Sequence, residues 1–149
     1  MQHTALIILA ACATAGVATG AAPRPHIVTI LADDLGWWDT QVHNPESTAT
    51  PNIGALARDG VVLERAYTFR YCSPSRRSML SGRFANHITN TQAPICSNYL
   101  PLEFELLSGK LKRANYSAHF IGKGHLGYQT TDHLPINRNF DSHAGYLAS

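Results

Sequence analysis

His26-Ile27-Val28-Thr29-Ile30-Leu31-Ala32-Asp33-Asp34 is an apolar run, rich in β-branched residues, that stops abruptly at two carboxylates. An unbroken apolar run of this length is what a strand buried on both faces looks like, the signature of a parallel sheet covered by helices. Ligand sites in such sheets collect beyond the carboxyl ends of the strands, where Asp33 and Asp34 stand. Adjacent carboxylates repel, so both stay ionised only beside a cation. Hard oxygen donors select Ca²⁺ or Mg²⁺ over softer metals. Taken alone, the pair also fits an ordinary acidic turn.

The flanking segments extend the α/β pattern. Thr50 reads as an N-cap with Pro51 in the first helical position, Ile53, Leu56 and Ala57 as the buried face, and Gly60 as the stop. Val61 to Phe69 reads as a strand. Pro74 opens a second helix, which places Cys72 at its N-terminal edge, where the dipole and unpaired N–H groups favour negative charge. A third helix after Pro101 uses Leu102, Leu106, Leu107 and Leu111. A strand from Tyr116 to Ile121 follows and delivers Lys123 and His125 at its end. Strands and helices alternate, which predicts an α/β sandwich with a mostly parallel central sheet flanked by helices.

Cys72-Ser73-Pro74-Ser75-Arg76 carries the sharpest chemical signal. A thiol at a helix N-terminus near an arginine suits a thiolate nucleophile. A cysteine-dependent phosphatase needs Cys, five residues, then Arg. Here the sixth position after Cys72 is Ser78, and Arg77 falls one short. The stretch instead has Pro at the second place after the cysteine and Arg at the fourth, running on to Met79-Leu80-Ser81-Gly82.

In that frame the chain resembles the sulfatase family, of alkaline-phosphatase-like fold. Ala32-Asp33-Asp34-Leu35-Gly36-Trp37 upstream and Gly122-Lys123-Gly124-His125-Leu126-Gly127 downstream lie in the family's order. The resemblance implies that a formylglycine-generating enzyme oxidises Cys72 to an aldehyde, formylglycine, whose hydrate attacks the sulfur of a sulfate monoester. It implies one Ca²⁺ held by Asp33, Asp34 and the modified Cys72. It also implies that Arg76 holds the hydrated aldehyde, Lys123 neutralises a sulfate oxygen and His125 hydrogen-bonds at the nucleophile or ester oxygen. Lys123 and His125, at i and i+2, point the same way if the segment is extended. The chain departs from the family at Arg70-Tyr71 and Ser81. Gly124 replaces an aromatic, and Asn115 stands where Gly is usual before Tyr116, a position an Asn with positive φ can occupy. A metal-dependent phosphatase of the same superfold is the disfavoured rival, because it uses Ser or Thr and needs neither Pro74 nor Arg76.

The likeness runs from about Pro25 to the last residue, through Asn139-Phe140-Asp141 and Gly145-Tyr146-Leu147. Family members are several times longer, so residues 23–149 are expected to be the N-terminal part of a catalytic domain. The tail from Pro101 is most similar to the arylsulfatase B-like branch, which implies an aryl sulfate or a sulfated glycan as substrate. The alternative is a truncated, catalytically inactive fragment or binding module.

The 149 residues are 44% apolar and 15% charged, with formal charge +2, which argues a globular domain and excludes nucleic acid as a partner. Residues 1–22 are small and apolar, with no charged side chain before Arg24. They read as a secretory signal peptide cleaved near Ala18-Thr19-Gly20-Ala21, with an uncleaved anchor as the alternative and no stable membrane span expected. The expected location is the secretory pathway, lysosomal or extracellular. A leader would remove Cys12 and leave Cys72 and Cys96. In an oxidising compartment the two predict a disulfide on composition alone. The formylglycine motif reverses that preference. Asn115-Tyr116-Ser117 is the one glycosylation sequon.

Overall fold

The computed structural model describes the backbone of residues 7–12 and the whole of residues 24–88 and 99–148. Most of the expected leader, its cleavage site and Cys96 lie outside the described residues. The chain divides into two compact units, Met1–Thr68 and Phe69–Ser149.

In the first unit β1 (Ile7–Cys12) pairs antiparallel with β2 (His26–Leu31), in register from Ile7 opposite Leu31 to Cys12 opposite His26. The strand at 26–31 is therefore as expected, and β1 runs inside the stretch read as a leader. Burial of β2 on both faces is not seen. Ile27, Val28 and Ile30 are 43–58% exposed, because the described residues give β2 one strand neighbour and leave its faces open.

Helix α1 (Pro51–Asp59) begins and ends where the sequence signals place it, between Thr50 and Gly60. The Thr50 hydroxyl does not cap its own helix. Its Oγ1 accepts instead from the Gln41 amide at 2.8 Å, tying the preceding loop to the helix start. Gly54 is the buried residue of α1, while Leu56 stays exposed. The strand expected at Val61–Phe69 does not form. The segment is an irregular chain with a turn closed by the Ala66 amide on the Leu63 carbonyl, 3.5 Å. Its β-branched and aromatic residues have no neighbouring strand among the described residues to pair with, and Val61 and Tyr67 lie open to solvent. Propensity without a ladder does not make a strand.

The second unit holds the core. Helix α2 (Cys72–Ser81) starts two residues before Pro74, which sits in the first turn where a missing N–H costs no helical bond. The Ser75 hydroxyl is 2.8 Å from the Tyr71 carbonyl and 2.9 Å from that of Phe69, securing the entry to the helix. Gly82 ends α2 with φ 67°, its amide on the Ser78 carbonyl at 2.8 Å. Helix α3 (Leu107–Arg113) starts later than expected, since Pro101–Phe104 closes a separate turn first. Leu106 therefore faces the core as the N-cap while Leu102 and Leu107 stay exposed.

Asn115 closes α3. It has φ 62°, its amide bonds the Lys112 carbonyl at 2.9 Å, and the Tyr116 amide bonds that of Leu111 at 3.0 Å. This is a Schellman motif with Asn in the left-handed position usually taken by glycine. The positive φ expected for Asn115 is thus observed.

Strand β3 (His119–Lys123) pairs parallel with β4 (Ser142–Tyr146), His119 opposite Ser142 and Lys123 opposite Tyr146. Asp141 locks the start of this pair. Its amide donates to the Ala118 carbonyl at 2.7 Å, its Oδ2 accepts from the Ala118 amide at 2.8 Å, and its Oδ1 meets Lys112 of α3 at 2.9 Å. Leu80, Ile88, Leu100, Leu106, Ala118, Leu126 and Phe140 pack into one cluster. Full burial of each large member contributes about 2 kcal/mol. The cluster fixes α2, α3 and both ends of β3 against one another, so the fold is α/β with a parallel pair flanked by helices.

Candidate active site

Cys72 is the first residue of α2, half-buried and a free cysteine. The buried face of its helix is Ser73, Pro74, Arg76, Arg77, Leu80 and Ser81. Two consecutive arginines thus point into the protein, and both reach the exit of β3. Arg76 donates from Nη1 to the carbonyl of Lys123 at 2.8 Å. Arg77 donates from Nε to the carbonyl of His125 at 3.4 Å. Burial holds the Arg77 guanidinium below the usual arginine range, with the neighbouring Tyr71 acting in the opposite sense.

The β3 exit is itself tied down. The Gly124 amide bonds the Tyr146 carbonyl at 2.9 Å and the His125 amide bonds that of Leu147 at 3.0 Å, extending the parallel ladder past Lys123. His125 adopts φ 56°, in the left-handed region. The extended-segment geometry expected for Lys123 and His125 therefore does not hold: Lys123 ends a strand and His125 turns away from it. A Cβ at Gly124 would make ordinary van der Waals contact with the Tyr146 carbonyl at 3.5 Å and the Phe120 ring at 3.7 Å, so a larger residue has room there. Within the second unit, then, Arg76 meets Lys123 and Arg77 meets His125 through backbone carbonyls, and Cys72 lies one turn before Arg76 on the same helix.

Asp33 and Asp34 belong to the first unit. They occupy the turn directly after β2 and are exposed. Beyond them the Asp39 carboxylate accepts from the Gly36 amide at 2.8 Å, and Trp37 stacks on His43 with centroids 3.4 Å apart. Among the described residues no group of three or more His, Cys, Asp and Glu side chains forms a metal-holding cluster. The donor chemistry of Asp33 and Asp34, two hard carboxylates side by side, fits the oxygen preference of Ca²⁺, and the pair could furnish only part of a six- to eight-oxygen shell.

Arg77 is the site residue that sequence reasoning passed over. Ser73, Arg77 and Ser81 are spaced by four, and Pro74, Arg77 and Leu80 by three, so one helix face contains all five. That periodicity was the available signal.

The sulfatase family model matches residues 25–149, and the chain belongs to the sulfatase family. It is similar to arylsulfatase J of Mus musculus, 40% identical over 133 residues, covering 87% of this chain and 22% of that protein. It is also similar to N-acetylgalactosamine-6-sulfatase of Homo sapiens, 35% identical over 139 residues and covering 86% and 26%. Among solved structures the crystal structure of Ps i-CgsB matches with TM-score 0.68 and 32% identity, over 78% of this chain and 27% of that one. A second structure holds Ps i-CgsB in complex with k-i-k-neocarrahexaose. The chain spans about a quarter of the length of the curated relatives it matches. Among the described residues no helix is long and apolar enough to cross a membrane.

Proposed function

We propose that this protein is a sulfuric ester hydrolase of arylsulfatase type, acting on an aryl sulfate or a sulfated glycan. The observation that carries the reading is the Arg76 bond to the Lys123 carbonyl at 2.8 Å, which joins the Cys72 end of α2 to the Lys123–His125 turn. Formylglycine, made from Cys72 by a formylglycine-generating enzyme, would supply the nucleophilic oxygen, and bound Ca²⁺ would supply positive charge to offset that of the ester. The chain's own residues have separable tasks. Asp33 and Asp34 furnish carboxylate oxygens to the metal. Arg76 fixes the first turn of α2 and places a cation beside position 72. Lys123 is a mobile point charge suited to an anionic ester oxygen, and His125 can hold or release a proton near neutral pH. Fixed cations at developing negative charge are the electrostatic arrangement such transfers need.

The relatives' names support a glycan ester as well as an aryl one, because N-acetylgalactosamine-6-sulfatase is among them. Entry to the secretory pathway, toward a lysosomal or extracellular destination, accompanies this reading through the apolar residues 1–22.

The test is made on protein from its natural source or from a host containing the maturation enzyme. Mass spectrometry of the Cys72 peptide is expected to show formylglycine. Aryl sulfate hydrolysis is expected to fall on Ca²⁺ chelation and to vanish in Cys72→Ala. An unmodified thiol on protein that hydrolyses no sulfate ester would overturn the proposal.

A further inference from the structure

Two neighbouring arginines on one helix grip two carbonyls that are two residues apart. Successive helical side chains diverge by about 100°, so Arg76 and Arg77 cannot serve one acceptor in the same way. They straddle Gly124 instead, one on the carbonyl before it and one on the carbonyl after it. Arg76 belongs to the motif already discussed. Arg77 does not, and it is the larger commitment: it is 0% exposed and heads the fully buried side chains of the described residues by volume. Burying a guanidinium is costly unless its charge and donors are used.

His125 shows what the burial achieves. A non-glycine residue in the left-handed region costs about 1 kcal/mol and persists where its surroundings hold it. The His125 amide is held by the Leu147 carbonyl at 3.0 Å, and its own carbonyl by Arg77 Nε at 3.4 Å. Both backbone groups of the turned residue are therefore engaged, from β4 on one side and from α2 on the other. An apolar side chain of similar length at 77 would fill the space and leave the His125 carbonyl without that donor.

We infer that Arg77 is a positioning residue that fixes the Lys123–His125 turn, and so the direction of the His125 imidazole, against the Cys72 end of α2. What His125 then does rests on the sulfatase reading above; its placement by Arg77 does not.

The test compares the parent protein with Arg77→Met and Arg77→Lys, each produced with the maturation enzyme. Three quantities are read: formylglycine occupancy at position 72, steady-state aryl sulfate hydrolysis, and amide hydrogen exchange. In Arg77→Met, kcat is expected to fall at least tenfold with KM within twofold and formylglycine occupancy unchanged. Exchange at Gly124 and His125 is expected to quicken at least tenfold while Ala118, at the far end of β3, keeps its parent rate. Arg77→Lys, which retains a cationic donor, is expected to recover part of both changes. Parent-like exchange at Gly124 and His125 in Arg77→Met overturns the inference, as does equal acceleration at Ala118, which would mark a packing role. If the parent protein hydrolyses neither an aryl sulfate nor a sulfated glycan, the proposed activity fails, and the local exchange pattern still decides the role of Arg77.

Discussion

The Arg138 guanidinium donates from Nη2 to the carbonyl oxygen of Phe104 at 2.8 Å, across 34 residues of sequence. The same group reaches the carbonyls of Leu100 at 3.2 Å and Pro101 at 3.3 Å, so one buried cation gathers three backbone acceptors of the turn before α3. Its own carbonyl accepts from the Ser108 hydroxyl of α3 at 2.6 Å. Burial lowers the arginine's affinity for its proton, and the three acceptors offset that cost.

Arg138→Met should therefore strand three carbonyls at once. The expected loss is about 3 kcal/mol of unfolding free energy, since bonds from charged donors are worth about 1.5–3 kcal/mol each and only part of the energy is recovered by relaxation. Urea unfolding checks it. Arg138→Lys should recover less than half, because an ammonium group cannot reproduce the planar fork.

Lys123 gives a prediction on activity. If it neutralises a sulfate oxygen, Lys123→Met should lower kcat/KM for an aryl sulfate about 10²–10³-fold, the usual cost of removing one preorganised group at developing charge. Formylglycine occupancy at position 72 should be unchanged, because the residues read by the maturation step lie in α2. Occupancy and rate falling together would assign Lys123 to maturation instead.

How far the sequence exposed this arrangement depended on the range of the interactions. Helix α1 was legible because Thr50, Pro51 and Gly60 are local signals that act within a turn. The placing of Cys72 at the start of α2 and of Lys123 at the exit of a strand was legible because Pro74 and the apolar run before Lys123 are also local signals. The strand expected at 61–69 failed because a strand is made by a neighbour, and no local pattern reports whether one is there. The left-handed turn at His125 was hidden for a related reason: its amide is held by Leu147 and its carbonyl by Arg77, both distant in sequence. Arg77 is buried by the helix phase it shares with Ser73, Leu80 and Ser81, which matters only once α2 packs against the rest of the unit.

Asn115 occupies the left-handed C′ position of α3 with φ 62°. Asn115→Gly should leave stability within about 0.5 kcal/mol of the parent, since glycine enters this region without penalty. Asn115→Val should cost about 1–2 kcal/mol, the price of a branched Cβ in that conformation. Thermal or urea midpoints of the two variants separate the outcomes.

Gly145 lies in β4 with φ 150°, directly opposite Gly122. A Cβ at this position would collide with the carbonyl and amide of Gly122, which are backbone atoms unable to swing aside. Gly145→Ala should open the β3–β4 ladder, and with it the bonds from Gly124 and His125 to Tyr146 and Leu147. Loss of amide protection at Gly124 and His125 is the expected reading, together with a lowered midpoint. Retained protection would show that the paired backbones can separate by enough to admit a methyl group.

His133 makes the protein sensitive to acid in a defined window. The side chain is 5% exposed, its Nδ1 lies 2.9 Å from the Thr130 hydroxyl, and Tyr99 packs edge-on with centroids 4.7 Å apart. Burial holds its pKa below the ordinary 6.5, and Arg138 adds to that, while Asp132 and the Thr130 backbone act in the opposite direction. A base whose folded pKa is depressed binds fewer protons folded than unfolded between the depressed value and 6.5. Stability therefore rises with pH across that window, is complete above it, and is lost as pH falls below 6.5. Asp141 is also shifted down, by its bonds to Lys112 and the Ala118 amide, but from 3.8, so its contribution is lost only at lower pH. Urea midpoints at pH 7.5 and 5.0 isolate the histidine. The midpoint should drop on acidification in the parent and drop less in His133→Gln, whose side chain cannot titrate. An equal drop in both proteins would assign the acid sensitivity to other groups.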